Sequence, residues 1–585
     1  MKKIWLFLSL TFLLGNTAPI QEQELIAPEP SSGIFEKQRV TAKNFMVVAG
    51  HPLATKAGYK VLQKGGNAVD AAIAAQMVLN VVEPHASGIG GGGFLLYYDA
   101  KRNKTKFFDG RETAPSAIDL TIFQNKDGSP KDFREALKGG ASVGTPGALK
   151  MLKETHDKYG ELPWFELFAD AIDVASLGFE VSPRVHNIMQ STPHIKEFKN
   201  TSQLYLDKHK EPKEVNETIK NPALADSFRD IAQNGIDSFY SGELGEKIVK
   251  AVRGSKINPG SLSLEDLNTY QSKTGDLLCL KYRKHKICSM PMPSSGGVTL
   301  LQILGILENF DIAQMDPYST EAVHVISEAM RLAYADRNKF TADSEFVKVP
   351  IKQMLNKSYL KERSFLINVD ATLIKVTPGD ISLIDGTEYA YHEKIHEPPS
   401  TTQISVIDKQ GNAVSFTSSI EYSFGSGITV GGFLLNNQLT DFSFVSEKNG
   451  VPIANRLEPG KRPRSSMTPT FVFNEDDKLI LILGSPGGAR IISYVAKTII
   501  GVLDWDIPID EAVNLPNFTK MNNVLELEEN THLADYKEEL ETIGHQVTVR
   551  DLTSGIHAIH VDRSKRSKEL LAGIDQRREG DALGD

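Results

Sequence analysis

The sequence predicts a layered protein of the α/β or α+β class, a sheet covered by helices. Three observations lead there. A buried-helix pattern near the front runs directly into an apolar strand pattern; residues 130 to 275 read as amphipathic, polar helices; and from residue 401 onward strand after strand is followed by one long apolar helix. No Ser/Gly linker or low-complexity block separates independent domains, so these pieces belong to one core.

In chain order, "GGNAVDAAIAAQMVLNVVEP" places Val69, Ile73 and Met77 at helical spacing among alanines and stops at Pro84. That is a helix buried on all sides. "GFLLYYDA" follows as a strand, and 130 to 275 supply helical cover. After 401 come the strand "TTQISVID", a turn at "DKQGN", and the strands "AVSFTSSI", "GGFLLNNQL", "TPTFVFN" and "KLILILGSP". Ile491, Val495, Ile499 and Val502 then share one side of a closing helix.

Hydrophobic residues at 40% and charged residues at 24% are ordinary for a globular chain of 585 residues, and 46 Gly point to many tight turns. The 65 Lys plus Arg against 74 Asp plus Glu give a net charge of −9 without a long block of either sign. Nucleic acid and anionic membrane surfaces are therefore excluded as natural partners. At the N-terminus, Lys2 and Lys3 precede an apolar run from Ile4 to Gly15 that is too short for a bilayer, which needs about 20 residues. It reads as a secretory signal over residues 1–18, cut near Ala18, and the mature chain is expected to be soluble and either periplasmic or secreted.

The two cysteines, Cys279 and Cys288, are equidistant from a centre between Arg283 and Lys284. In a two-residue hairpin they face each other at a non-hydrogen-bonded pair, within disulfide range. An oxidising compartment permits the bond, and two small hydrophobes on a hairpin is the other reading.

Two familiar motifs are rejected on context. "GIGGGG" (Gly88–Gly93) satisfies G-x-G-x-x-G, but it follows a helix and precedes a strand, the reverse of the dinucleotide fingerprint. A glycine turn closely approached by another segment is the better account. "HEKIH" (His392–His396) matches the zinc-protease H-E-x-x-H, yet Pro398 and Pro399 follow at once and no apolar stripe would dock such a helix. A zinc peptidase stays as a distant alternative. No G-x-S-x-G elbow in strand-turn-helix context is found. Hydroxyl residues and tight turns cluster after 400 instead, and in "GSPGG" Gly487 and Gly488 bring bare backbone N–H groups to a helix start, as an oxyanion hole requires.

The stretch "PPSTTQISVID" ties these together. Pro398 and Pro399 cannot join a ladder, whereas Thr402, Ile404, Val406 and Asp408 begin a period-two strand. If the bond between Ser400 and Thr401 is cut, Thr401 gains an α-amine with a reference pKa of about 7.7–8.0. That amine can serve as base for the residue's own hydroxyl, without a histidine.

Many ordered stretches, among them "GGNAVDAAIAAQ", "FDGRETAP", "GTPGAL", "SMPMPSSGGVTLLQ", "TTQISVIDKQGNAVSFT", "LLNNQLTDFS", "PGKRPRSSMTPT", "GSPGGARII" and "DQRREG", resemble the γ-glutamyltranspeptidases of the N-terminal nucleophile hydrolase superfamily. The resemblance covers nearly the whole chain after the signal. It implies an α+β fold, a four-layer αββα sandwich, and a precursor that cuts itself into a large subunit (19–400) and a small one (401–585) that stay together as a heterodimer. It implies Thr401 as nucleophile, Gly487 and Gly488 as oxyanion donors, and Ser419 where the family often has a threonine bonded to the nucleophile. For a γ-glutamyl head, Arg111 with Ser465 and Ser466 suits the carboxylate, and Asp441 with Gln438 and Glu421 suits the ammonium. Glu421 replaces an asparagine of many members, and the connection 442–464 lacks the tyrosine that covers the site in some. The implied donors are glutathione or other γ-glutamyl compounds, with water, an amino acid or a dipeptide as acceptor and no metal or organic cofactor. A related acylase acting on glutaryl β-lactam side chains is the alternative, and a non-catalytic binding protein of the same fold is a further one.

Overall fold

The computed structural model describes residues 28–383, 386–392, 399–563 and 568–585. The expected secretory signal and residues 393–396 of the HEKIH stretch lie outside them. Two seven-stranded antiparallel sheets form the centre. One runs in the order Asp581–Gly584, Met46–Ala49, Thr402–Ile407, Ala413–Ser419, Gly92–Asp99, Lys104–Asp109, Lys273–Gly275. The other runs Thr41–Ala42, Glu569–Ile574, His557–Asp562, Leu479–Gly484, Thr470–Phe473, His285–Ser289, Leu278–Tyr282.

Alternation along the first sheet explains the layering. Val47, Ala49, Leu95, Tyr97, Ile404 and Val406 enter a core shared with helix α1 (Ala68–Val82) and the helices between 148 and 253. Their neighbours Met46, Val48, Phe94, Leu96 and Tyr98 enter a second core with Phe471, Phe473 and Ile482 of the other sheet. That core continues to helices α2 (Ser295–Leu307), α3 (Thr320–Phe340) and α4 (Ile491–Leu503). Because a strand's side chains alternate between faces, one strand feeds both cores, and the result is the expected αββα sandwich.

All fifteen residues of α1 are buried, and Asn67 and Asp70 close its start with a capping box. The glycine run Gly88–Gly93 is a place of close approach. A Cβ on Gly90 would lie 2.0 Å from the Leu434 carbonyl oxygen, and one on Gly91 would lie 2.2 Å from that of Ser419. Cys279 pairs with Cys288 across a hairpin turned by Arg283 and Lys284, their Cα atoms 4.1 Å apart, and a disulfide joins them.

One expected element differs. "GGFLLNNQL" is a strand only at Phe433–Leu434 and then leaves into a 3₁₀ turn, Gln438–Asp441. Side chains replace the ladder there. The Asn436 amide donates to the Gly90 and Gly144 carbonyls, and its oxygen accepts from the Gly144 and Gln438 amides. Asparagine offers the backbone this alternative to a sheet, and two in succession end the strand.

Candidate active site

Thr401 opens the strand Thr402–Ile407, between Met46–Ala49 and Ala413–Ser419. Thr402, Ile404, Val406 and Asp408 all face the first helix layer. Thr402 Oγ1 donates to Glu83, which follows the end of α1, and Asp408 accepts from the Ala68 amide at its start. Both ends of α1 thus hold the strand in register. The opposite face is polar: Ser405 donates to the His557 carbonyl, Ser415 to that of Leu483, and Thr417 to Gln403. Such fully paired polar groups between the sheets pin one arrangement of the strand.

Thr401 lies only 4% exposed, with φ at 119°. A positive φ in a β-branched residue is a rare, strained conformation costing of order 1–3 kcal/mol. Its hydroxyl donates to Ser419 Oγ at 3.1 Å, and Ser419 Oγ also accepts the Glu421 amide at 2.9 Å. On the preceding residue, the Ser400 hydroxyl donates to the His85 carbonyl.

Thr401, Ser419, Arg111, Glu421, Gln438, Asp441, Ser465, Ser466 and Gly488 line one small cleft. Gly487 stands next to it, with φ at 134°, and Gly488 has φ at 60°, both in backbone regions that favour glycine. The sequence reading missed Met467 and Ile491, which supply apolar wall. No lining residue comes from 442–464, whose Phe444 instead stacks on Phe123 at 4.8 Å.

Arg111 donates to Asp441 Oδ2 at 2.5 Å and to the Pro463 and Arg464 carbonyls, so the two charges expected at opposite ends of a ligand's head sit together. An α-amine and an α-carboxylate share one carbon, so their partners must be neighbours. Gln438 also donates to Asp441 Oδ2, at 2.8 Å. Burial pushes the Glu421 carboxyl well up, the neighbouring Asp441 charge pushes it further, and the Asn437 amide opposes both. Burial beside a second acid thus disfavours the charged form of Glu421. Ser466 accepts from Arg337 at 2.7 Å, and the same guanidinium reaches Ser295 at the start of α2. Arg337 carries no local signal in the sequence; its place follows from the packing of α3.

A buried carboxyl next door, Glu112, is raised to about 8 by burial, against the pull of Arg111 3.8 Å away. Neither of its oxygens has a hydrogen-bond partner. Among the described residues no group of His, Cys, Asp and Glu could hold a metal ion, and no helix is long and apolar enough to cross a membrane.

A sandwich of two sheets with a threonine hydroxyl at the start of a central strand, facing a charged cleft, has the architecture of the N-terminal nucleophile hydrolases. Comparison with known proteins narrows this. The family model for γ-glutamyltranspeptidase matches residues 54–585, and the chain belongs to that family. The chain is 36% identical over 583 residues to a glutathione hydrolase proenzyme of Bacillus subtilis (strain 168), covering 98% of this chain and 96% of that one. Among solved structures it resembles a cephalosporin acylase from Bacillus halodurans, with TM-score 0.80 and 25% identity over 94% of this chain and 97% of that one. It also resembles the Helicobacter pylori γ-glutamyltranspeptidase, with TM-score 0.56 and 31% identity over 61% of this chain and all of that one.

Proposed function

We propose that this chain is an exported, self-processing γ-glutamyltransferase and glutathione hydrolase with Thr401 as its nucleophile. One observation carries the reading. The cleft in which Thr401 Oγ1 meets Ser419 also holds a cation, Arg111, and a cluster of acids, Asp441 and Glu421, side by side. That pairing suits a zwitterionic glutamyl head.

Maturation begins when Thr401 Oγ attacks the Ser400 carbonyl carbon. The C–N bond breaks, the Thr401 nitrogen takes the hydroxyl proton, and an ester links Ser400 to Thr401 Oγ. Water then cleaves the ester, leaving the Ser400 carboxylate and a free Thr401 amine. Relief of the positive φ at Thr401 favours this first step. The products are a large subunit, 19–400, and a small one, 401–585, held as a heterodimer by strands that both contribute to each of the two sheets.

In turnover the Thr401 amine takes the proton from Oγ as it attacks the γ-amide carbon, and the amides of Gly487 and Gly488 receive the oxyanion. The amine product leaves with a proton, and a γ-glutamyl ester remains on Thr401. Water resolves it to glutamate, or an amino acid or dipeptide resolves it to a new γ-glutamyl amide. Arg111, Ser465 and Ser466 hold the donor's carboxylate, and Asp441, Gln438 and Glu421 its ammonium. These groups supply all the chemistry, so neither a metal nor an organic cofactor is required.

Electrophoresis under denaturing conditions tests the maturation step. Purified protein should give two bands, the smaller starting at Thr401, and Thr401→Ala should stay whole and inactive; an active, uncut chain would sink the mechanism. The likeness to a cephalosporin acylase supports glutaryl amides as a second donor class. A glutaryl group lacks the α-amine assigned here to Asp441, Gln438 and Glu421, so γ-glutamyl anilides should be turned over faster than glutaryl anilides. Loss of activity on chelation, or in His392→Ala, would restore the zinc-peptidase reading.

A further inference from the structure

Behind Thr401, on the side away from the cleft, lies a buried cluster of charges with no role in the reaction just described. The segment 28–37 crosses the turn 575–580 near the C-terminus: the Phe35 amide donates to the Gln576 carbonyl, and Lys37 Nζ to that of Gly580. At its start Glu29, 4% exposed, accepts two bonds from Arg184, at 2.6 and 3.2 Å, and one from Arg578 at 2.5 Å. Arg578 then reaches the Thr401 carbonyl with its other nitrogen, at 3.4 Å. Arg184 pairs with Glu83, whose second oxygen accepts the Thr402 hydroxyl at 2.9 Å. The Arg578 side chain passes so close over Gly555 that a Cβ there would meet its Cδ at 2.6 Å and Pro486, of the turn bearing Gly487, at 2.7 Å.

We infer that Glu29 is a positioning residue for the Thr401 nucleophile. By drawing the Arg578 and Arg184 guanidiniums together, it fixes the Thr401 carbonyl and the Thr402 hydroxyl, and with them the angle at which Thr401 Oγ meets both the Ser400 carbonyl and the substrate.

Charge makes the role specific. Two guanidiniums with almost no exposure need compensation, because an unpaired buried charge costs several kcal/mol. Burial raises Glu83, whereas Arg184 and Arg578 overcome burial at Glu29 and hold its carboxyl low. Glu29 thus meets both guanidiniums as an anion, and it comes from the segment that precedes every strand among the described residues. After maturation it belongs to the large subunit and Arg578 to the small one, so the clasp joins the two pieces at the nucleophile's back.

The inference rests on the proposed role of Thr401, and the experiment separates the two. Wild type, Glu29→Gln, Glu29→Asp, the charge-balanced double variant Glu29→Gln with Arg184→Gln, and Thr401→Ala are expressed as full chains. The processed fraction is followed in time by denaturing electrophoresis, and kcat and KM are measured with a γ-glutamyl anilide, normalised to processed enzyme. Glu29→Gln is expected to process roughly ten- to a hundredfold more slowly, since small misplacements of a nucleophile cost that much. Its kcat should fall with KM within about twofold of wild type, because the cleft residues are untouched. Glu29→Asp should recover much of both rates, and the double variant should fold yet stay slow. Wild-type rates in Glu29→Gln, or in the double variant, overturn the inference. So does failure of both to give soluble protein, which would assign Glu29 to folding alone. If instead Thr401→Ala is cut and active, the function proposed above is what fails.

Discussion

Ser419 offers a perturbation whose size can be worked from two bonds on one atom. Its Oγ receives the Thr401 hydroxyl at 3.1 Å and the Glu421 amide at 2.9 Å, in a site 3% exposed. Ser419→Ala removes both. A neutral hydrogen bond contributes about 1 kcal/mol net, so losing the one that orients Thr401 should lower kcat about fivefold. The second loss is different in kind. The Glu421 amide becomes a buried donor without a partner, costing about 1–3 kcal/mol, and the residue it carries lines the ammonium side of the cleft. KM for a γ-glutamyl donor should therefore rise as kcat falls, and the urea midpoint should drop. Ser419→Thr restores the hydroxyl and adds a methyl that restricts its rotamer, so it should keep both constants within about twofold of wild type. The assay is initial-rate hydrolysis of a γ-glutamyl anilide, corrected for processed fraction, beside urea unfolding. Processed Ser419→Ala with wild-type kcat and KM would refute the reasoning, as would a threonine variant as poor as the alanine one.

The turn proposed to hold the oxyanion is sensitive to a single methyl. A Cβ on Gly487 would lie 2.7 Å from the Tyr494 ring at a φ of 134°, so Gly487→Ala should cut kcat about five- to a hundredfold through strain of about 1–3 kcal/mol, read from the same assay. Glu112 gives a pH signature. Its carboxyl is raised from 4.5 to about 8, so the folded state binds a proton that the unfolded state releases. Stability from this group is full below about pH 4.5 and is lost as pH rises through about 8, a difference on the order of 4 kcal/mol. Glu112→Gln should flatten urea midpoints measured from pH 5 to 9, and an unchanged slope would reject the assignment. The Cys279–Cys288 disulfide closes a loop of sequence separation 9, worth at most about 3 kcal/mol by loop entropy. The hairpin already holds its ends together, so Cys279→Ser with Cys288→Ser should cost less than that in denaturant and leave kcat unchanged.

What could be read from the sequence and what could not divide along the distance between interacting residues. Helix α1, the strand "GFLLYYDA" and the hairpin of Cys279 and Cys288 are written in local periodicity and turn spacing, and they appear where expected. The strand beginning at Thr402 was readable because a β-branched alternation follows a proline pair, and the alternating set all faces one layer. "GGFLLNNQL" misled because strand propensity says nothing about Asn436 finding the Gly90 and Gly144 carbonyls, both remote in sequence. The residues of the cleft lie in stretches that carry the family resemblance, which is why nine of them could be named before they were seen to converge.

In the charge cluster behind Thr401, Glu29 and Arg184 carry no such signal, and "DQRREG" marks Arg578 without marking its partners. Glu29 and Arg578 are 549 positions apart, Glu29 and Arg184 155, and nothing near any of them marks a buried ion. An isolated Glu or Arg in a sequence is best read as solvated surface, because burial of a charge is costly unless a partner comes with it. Here the partner arrives only when both ends of the chain meet at the same sheet. That meeting has a consequence for maturation. A nascent chain lacks Arg578 until residues 401–577 are made, so the cluster around Glu29 cannot form before then. If Glu29 acts as inferred, cutting before Thr401 waits for a finished fold, and a chain truncated before Arg578 should accumulate uncut even where it stays soluble.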